Sequence, residues 1–182
     1  MKLPTWEEFK EEFLRRSKAL LEAWSAKYGV DVPPVYVIGD EVLDPFIPTA
    51  VYVRPSILFS DIRGPAIVFA EGYLRAVYEG ALDTGDFETA WNCLLWSLAH
   101  EFGHHIAWRK HPVRWGLLIE TAPFREYIVR AEISASLIAH HLTKKTRAKK
   151  NLDFTLLTGM SKRKFWEKRH LEWLMAKVKK FR

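Results

Sequence analysis

The chain contains the sequence His100-Glu101-Phe102-Gly103-His104 at the end of an apolar run that begins at Ala90. An α-helix completes a turn in about 3.6 residues, so His100 and His104 project from the same face and can bind one Zn²⁺ ion together. Glu101 lies about 100° further round that helix, where its carboxylate can reach a metal-bound water molecule rather than the metal. The spacing therefore predicts two metal ligands and one general base on a single helix.

The residues before this sequence favour a buried helix. Residues 90–99 are apolar on nearly every side, which is typical of a helix that is packed all round. Upstream, Asp83, Thr84 and Asp86 offer side chains for an N-cap. A polar His-Glu-His cluster at the end of a buried helix is costly unless a partner satisfies it, and a metal ion would do so. The alternative is that the histidines only hydrogen-bond to neighbouring residues.

A catalytic zinc ion needs a third protein ligand and an open position for water. One class of zinc enzymes places a third histidine ten residues after the first, but that position is Lys110 here. The sequence contains no aspartate between His104 and Asp153, so a glutamate or a further histidine is expected. The remaining candidates are Glu120, Glu126, Glu132, His140 and His141.

Helical phase favours Glu132. A helix is predicted over Phe124–Thr143, and Glu132 falls on the flank of its apolar stripe, beside small residues such as Ala135. Small side chains at this position would let the helix approach the first helix closely, because the contact residues set the distance between packed helices. Glu132 is therefore the predicted third ligand. The alternative is an ion pair of Glu132 with Arg125 or Arg130 at the helix surface.

Other polar residues of this region receive different predictions. Glu126 falls on the solvent side of the same helix, and Glu120 is expected in a loop. Peptide hydrolysis also requires a group that stabilises the oxyanion of the tetrahedral intermediate. By residue type, Tyr127, His140 and His141 are candidates for that role, although each can equally be a packed or surface residue.

These residues resemble the metal site of gluzincin peptidases, which carry His-Glu-x-x-His and then a glutamate on a following helix, often within Glu-x-x-Ala-Asp or Glu-x-x-Ala-Asn. Residues 132–136, Glu-Ile-Ser-Ala-Ser, are similar to that second segment. The chain departs from it at Ser136, where the family has a residue that orients a zinc-bound imidazole, so Ser136 is expected to do this more weakly. Residues 66–82 also look like the family's hairpin. The resemblance covers roughly residues 35–142 and extends to small gluzincins (minigluzincins) and ImmA/IrrE-like peptidases.

The resemblance implies a zincin-like α+β fold: a small mixed sheet, an active-site helix and a following ligand-bearing helix, flanked by N- and C-terminal helices. The implied activity is that of a zinc metalloendopeptidase acting on a peptide or protein substrate. His100, His104 and Glu132 would bind Zn²⁺. Glu101 would take a proton from the zinc-activated water and pass it to the leaving amine.

Length and composition predict one domain over residues 1–182, with an N-terminal helix in 1–34, a catalytic core in 35–143 and a basic tail in 144–182. The single cysteine, Cys93, cannot form an intrachain disulfide, which indicates a cytoplasmic protein, and it is predicted to be a core residue. No signal peptide and no apolar run of about 20 residues is evident. The absence of Gln and the abundance of charged residues are typical of thermophiles.

Four strands and one further helix are predicted before the central sequence. Thr5 and Glu8 form a capping box at the start of a helix that extends to Tyr28. The predicted strands are Val35–Ile38, Ala50–Val53, Ala66–Ala70 and Tyr73–Tyr78. The last one is either an ordinary core strand or an edge strand that holds a peptide substrate by main-chain hydrogen bonds. A basic aromatic loop is predicted over Trp108–Trp115, as a cleft rim or a solvated turn.

The charge is unevenly distributed. Residues 144–182 hold 14 Lys and Arg against three acidic residues, a net charge of +11, whereas the remainder has a net charge of −5. A helix is predicted over roughly residues 161–181. Its simplest interpretation is a helix that packs on the domain and exposes its basic face to solvent. Nucleic-acid contact, cover of the active-site cleft and membrane-surface binding are alternatives. The competing function is therefore a nucleic-acid-associated binding or regulatory protein with a structural or vestigial zinc site.

Overall fold

The computed structural model of the chain describes residues 3–39, 50–55, 58–59 and 61–143. In this part of the chain the fold is α+β, with five helices and a small mixed sheet. The helices are α1 (Trp6–Tyr28), α2 (Glu71–Thr84), α3 (Phe87–Lys110), α4 (Pro112–Thr121) and α5 (Phe124–Thr143). The strands are β1 (Val35–Ile38), β2 (Ala50–Val53), β3 (Leu58–Phe59), β4 (Ile62–Arg63) and β5 (Ala66–Ala70).

The central strand of the three-stranded sheet is β5. It pairs in parallel with β1 and antiparallel with β2, so the order is β1-β5-β2, and β3 and β4 form a separate antiparallel pair. All five residues of β5 are buried, as expected for a strand covered on both faces. Within the described residues β2 has a hydrogen-bonded neighbour on one side only.

Helix α1 has the termini that the sequence predicts. Thr5 and Glu8 form the capping box, and Gly29 ends the helix in the left-handed conformation with φ 60°. Phe9 and Phe13 of this helix are buried, and they pack on the sheet and on α3. The predictions for α1, β1, β2, β5 and α5 are confirmed, and so is Asp86 as the N-cap of α3.

The predicted strand Tyr73–Tyr78 is wrong, because these residues lie in α2, which starts directly after β5. Tyrosine and valine raised the strand propensity of this segment, but tertiary packing overrides propensity. Leu74 and Ala81 are buried seven residues apart, which is a helical repeat. The Tyr73 hydroxyl is hydrogen-bonded to Ser97 of α3, and the Tyr78 hydroxyl donates to the carbonyl of Pro4. The family-like hairpin is therefore absent at this position.

The predicted loop Trp108–Trp115 is also wrong. Helix α3 continues to Lys110, His111 caps it, and Pro112 begins α4 at a position where proline loses no helical hydrogen bond. Trp115 is buried in a cluster with Ala107 and Ala131. Glu120 lies within α4 rather than in a loop, and its side chain is exposed.

Helices α3 and α5 pack against each other at unusually small residues. A Cβ atom at Gly103 would lie 2.6 Å from the carbonyl oxygen of Ala135, so only glycine fits at this contact. Ala107 and Ala131 belong to one cluster further along, which shows that the two helices run antiparallel. The predicted close approach of these helices is confirmed.

None of the helices in the described part of the chain has the length and hydropathy of a membrane-spanning segment. The predicted basic tail and its helix lie outside the described residues, as does most of the segment between β1 and β2.

Candidate metal centre

The structure brings the three predicted ligands together. His100 and His104 lie one turn apart on α3, and Glu132 faces them from α5. Nε2 of His100 lies 3.0 Å from Oε2 of Glu132, and Nε2 of His104 lies 3.6 Å from Oε1. In a tetrahedral zinc site with metal–nitrogen bonds of about 2.0–2.1 Å, neighbouring ligand atoms are about 3.3 Å apart. The ligand atoms here lie within 4.8 Å of one another, so the three residues could hold one metal ion.

The other candidates for the third ligand do not join this cluster. Glu126 is exposed and forms an ion pair with Arg130 one turn along α5, as its solvent-side phase predicts. Glu120 is exposed on α4. His140 and His141 are exposed near the end of α5, at least eight residues beyond Glu132, which corresponds to about 12 Å of helix.

Ser136 contacts the ring of His100 from the side opposite Glu132. Its Oγ lies 3.4 Å from Nδ1 of His100, while Nε2 of the same ring faces Glu132. A ligand imidazole is commonly oriented by a hydrogen bond to its second nitrogen. The contact is at the long end of hydrogen-bond distance, so the Ser136 hydroxyl is placed to interact only weakly with the second nitrogen of His100.

Tyr52 of β2 packs on the second histidine. The rings of Tyr52 and His104 are stacked with an interplanar angle of 10° and centroids 6.5 Å apart. The Tyr52 hydroxyl lies 3.2 Å from Nδ1 of His105, a residue that is 0% exposed. Burial raises the pKa of Tyr52, so the hydroxyl keeps its proton and can donate it.

The other side of the His105 ring fixes its tautomer. Nε2 lies 2.9 Å from the backbone carbonyl of Asp31, which can only accept, so Nε2 carries a proton. Burial lowers the pKa of His105 and keeps the ring neutral, which leaves Nδ1 to accept from Tyr52. The chain of contacts from Asp31 through His105 and Tyr52 therefore holds a ring against His104.

Asp31 also pairs with Arg109, one turn after His105 on α3. Burial is the largest single influence on the carboxyl and raises its pKa. The hydrogen bond and the positive charge of Arg109, together with the electrostatic interaction with the His105 ring, outweigh it and hold the pKa of Asp31 below its usual value. This ion pair ties the segment after α1 to the helix that carries both histidine ligands.

A second aromatic group lies one turn further along α3. The guanidinium of Arg54 lies 5.7 Å from the ring centre of Trp108, and both side chains hydrogen-bond to the Tyr127 hydroxyl. Burial raises the pKa of Tyr127 and outweighs the opposing effect of the charge and hydrogen bond of Arg54 and the hydrogen bond of Trp108, and the charge of Glu132 adds a smaller increase. Tyr127, a candidate oxyanion stabiliser, is thus half-buried and electrostatically coupled to the third ligand.

Glu101 is buried, with 9% of its surface exposed, on the helix that carries both histidines. Cys93, predicted to be a core residue, is half-buried, and burial raises the pKa of its thiol, as does the charge of Asp86. A thiol in this state is a poor nucleophile and metal ligand. The cysteine therefore belongs to the packing of α3.

Sequence reasoning did not identify His105, Tyr52, Asp31 or Arg54 as parts of this region. His105 directly follows the second ligand, and its position on the buried side of α3 was the only signal available for it. The partners of His105 lie 53 and 74 residues away along the chain, at Tyr52 and Asp31. Comparison with known proteins returns no matching family model, no matching curated protein and no matching solved structure.

Proposed function

We propose that this protein is a zinc-dependent peptidase in which His100, His104 and Glu132 bind the metal and Glu101 is the general base. The observation that carries the proposal is the convergence of two imidazole nitrogens and one carboxylate from separate helices within 4.8 Å. Two histidines and a glutamate form a ligand set found in catalytic zinc sites, where the fourth position is left to water.

A zinc ion bound here would lower the pKa of its water ligand and polarise the carbonyl of the scissile bond. The remaining work falls to the protein. Glu101 accepts the proton of the attacking water and then donates it to the leaving amine. The Tyr127 hydroxyl is the half-buried candidate for stabilising the oxyanion.

Strand β2 is the edge that suits an extended substrate. In the described residues its only sheet partner is β5, and its residue Tyr52 contacts His104. An extended peptide pairing with the second edge of β2 would pass over the metal ligands through main-chain hydrogen bonds. This role replaces the one predicted for Tyr73–Tyr78, which is helical.

The direct test compares the native chain with Glu101→Gln, and uses Glu88→Gln as the control because Glu88 is an exposed glutamate of the same helix. Elemental analysis should give one zinc per chain for all three proteins. Cleavage of casein or a peptide library should be lost on chelation and restored by zinc. Glu101→Gln should lower the rate of peptide cleavage by about 10²–10⁴-fold, the usual contribution of general acid–base catalysis.

Normal cleavage by the Glu101→Gln protein would refute the assigned base. Zinc binding that persists in a His104→Ala, Glu132→Ala double variant would refute the assigned ligands. A chain that holds zinc, cleaves nothing and binds DNA with a salt dependence unaffected by chelators would favour the nucleic-acid-associated function instead.

A further inference from the structure

Arg54 carries a positive charge close to the candidate metal centre. The proposed chemistry does not use this residue. It directly follows β2, and its guanidinium lies 5.7 Å from the ring centre of Trp108. Its main chain packs closely against Gly64, where a Cβ atom would clash with the Arg54 carbonyl oxygen. A guanidinium placed on an aromatic face is pre-organised, so less entropy is lost when it binds a ligand.

The charge of Arg54 has no carboxylate partner within the part of the chain that the structure describes. Four other arginines in that part are paired: Arg15 and Arg16 with Glu12, Arg109 with Asp31, and Arg130 with Glu126. Arg63, Arg75 and Arg114 also form no ion pair there, but they lie on other elements, and Arg54 is the one beside Trp108 and Tyr127. A guanidinium has five N–H donors, and the acceptor described for Arg54 is the Tyr127 hydroxyl. Among the described residues, no further acceptor occupies its remaining donors, which can therefore bind a ligand.

The position of Arg54 relates it to the site in two ways. On the strand side, Tyr52 contacts His104, and Arg54 follows two residues later. On the helix side, Trp108 comes one turn after His104, a rise of about 6 Å. An extended peptide advances about 3.3 Å per residue. A group bound by Arg54 would therefore lie about two residues from a peptide bond held at the metal.

We infer that Arg54 binds a carboxylate of the substrate, and that the site selects peptides carrying one about two residues from the cleaved bond. A planar guanidinium matches a carboxylate through two parallel hydrogen bonds, and such pairs are the strong ones. The carboxylate is either an acidic side chain or the C-terminus of the peptide. The inference deepens the proposed peptidase function, while the binding of the carboxylate itself requires no turnover.

The experiment measures peptide binding by calorimetry with the zinc-loaded Glu101→Gln chain, which holds the site without cleavage, and repeats it with metal-free protein. The peptides are compared in two sets. In the first, a peptide with glutamate at one position is compared with the same peptide carrying glutamine there. In the second, a peptide with a free C-terminal carboxylate is compared with its C-terminal amide. Arg54→Met keeps an unbranched side chain and removes the charge. Arg63→Gln is the control, because Arg63 is exposed on β4.

With Arg54 present, one acidic peptide should bind about tenfold tighter than its neutral match, as a charge-assisted hydrogen bond allows. The preference should disappear in Arg54→Met, persist in Arg63→Gln, and reverse toward lysine peptides in Arg54→Glu. A preference in the glutamate–glutamine set would show that Arg54 binds an acidic side chain, and a preference in the other set would show that it binds the C-terminal carboxylate. Equal binding of all matched peptides, no binding, or a preference that survives in Arg54→Met would overturn the inference.

Two failures are distinguishable. Loss of zinc binding or of cleavage counts against the peptidase, because it concerns His100, His104, Glu132 and Glu101. A missing carboxylate preference counts against Arg54 alone, and the metal-free measurement reports it whether or not zinc is held. A thermal unfolding curve for Arg54→Met shows whether the variant folds, and Arg54→Lys, which keeps the charge, should recover part of the preference.

Discussion

Replacing Gly103 by alanine tests whether the close contact of α3 and α5 builds the metal centre. The added Cβ atom would lie 2.6 Å from the carbonyl oxygen and 2.8 Å from the Cα atom of Ala135, whereas ordinary contact begins at 3.4 Å. Both neighbours are backbone atoms, which cannot rotate away as the end of a flexible side chain can. The two helices must therefore separate locally by about 0.8 Å to relieve the repulsion.

This displacement acts on stability and on the site. Overpacking of this kind costs about 1–3 kcal/mol. The ligands are divided between the same two helices, with His100 and His104 on α3 and Glu132 on α5, and metal–ligand distances tolerate only about 0.2 Å. We expect zinc affinity to fall by about 10–100-fold, the loss seen when ligand orientation is disturbed.

The measurements are urea unfolding of the metal-free protein and competition for zinc with a chelator of known affinity. Gly80→Ala and Gly116→Ala are matched controls, because both glycines are helical and a Cβ atom there meets nothing within 4 Å. Each control should gain about 0.5–1 kcal/mol from helix propensity. The reasoning is refuted if Gly103→Ala is as stable as the controls or binds zinc like the native chain.

Three further predictions concern the surroundings of the site. Ser136→Ala should lower zinc affinity by about tenfold with little change in stability, measured by chelator competition; unchanged affinity would show that the long contact does not orient His100. His105→Ala should destabilise the fold by about 2–5 kcal/mol in urea unfolding, because it opens a cavity and removes the hydrogen bonds of the buried ring to Tyr52 and to the Asp31 carbonyl, while exposed His111→Ala should stay within about 0.5 kcal/mol. Asp31 has a pKa below its ordinary 3.8, so its stabilising contribution is present above pH 3.8 and is lost as the pH falls through the lower folded value. The stability difference between native and Asp31→Asn should therefore shrink on acidification, and a difference that grows would contradict the assigned pairing with Arg109.

Local sequence signals predicted the elements whose ends and faces are encoded within a few residues. The capping box and Gly29 delimit α1, and the phase of α5 favoured Glu132 over Glu126 because helical spacing determines the direction in which a side chain points. The same local reasoning failed for Tyr73–Tyr78. Its residues suit a strand, and the burial that makes it helical comes from α3 and the N-terminus, which lie at a distance along the chain.

The surroundings of the metal centre could not be predicted for a related reason. His100 and His104 are brought together by one helix, so their spacing is sufficient evidence. The contacts of His105 with Tyr52 and Asp31 exist only after β2 and the segment following α1 have packed on α3. Arg54 is likewise defined by Trp108 and Tyr127, from two other elements. A motif thus indicates which residues could bind a metal, whereas only the tertiary structure shows which side chains surround them.

The proposed ligands are divided between α3 and α5, so metal binding should depend on the packing of these two helices. Helix α3 alone supplies the nitrogens of His100 and His104. The carboxylate of Glu132 lies beside them only when α5 packs on α3 through the contact of Gly103 with Ala135. Metal binding to the folded chain should therefore stabilise the α3–α5 contact, since a ligand that binds only the native state raises the free energy of unfolding. At a zinc concentration about 100 times the dissociation constant the gain is about 2.7 kcal/mol. A zinc-dependent rise of that size in the native chain, absent from Glu132→Ala, would link the chemistry to the packing.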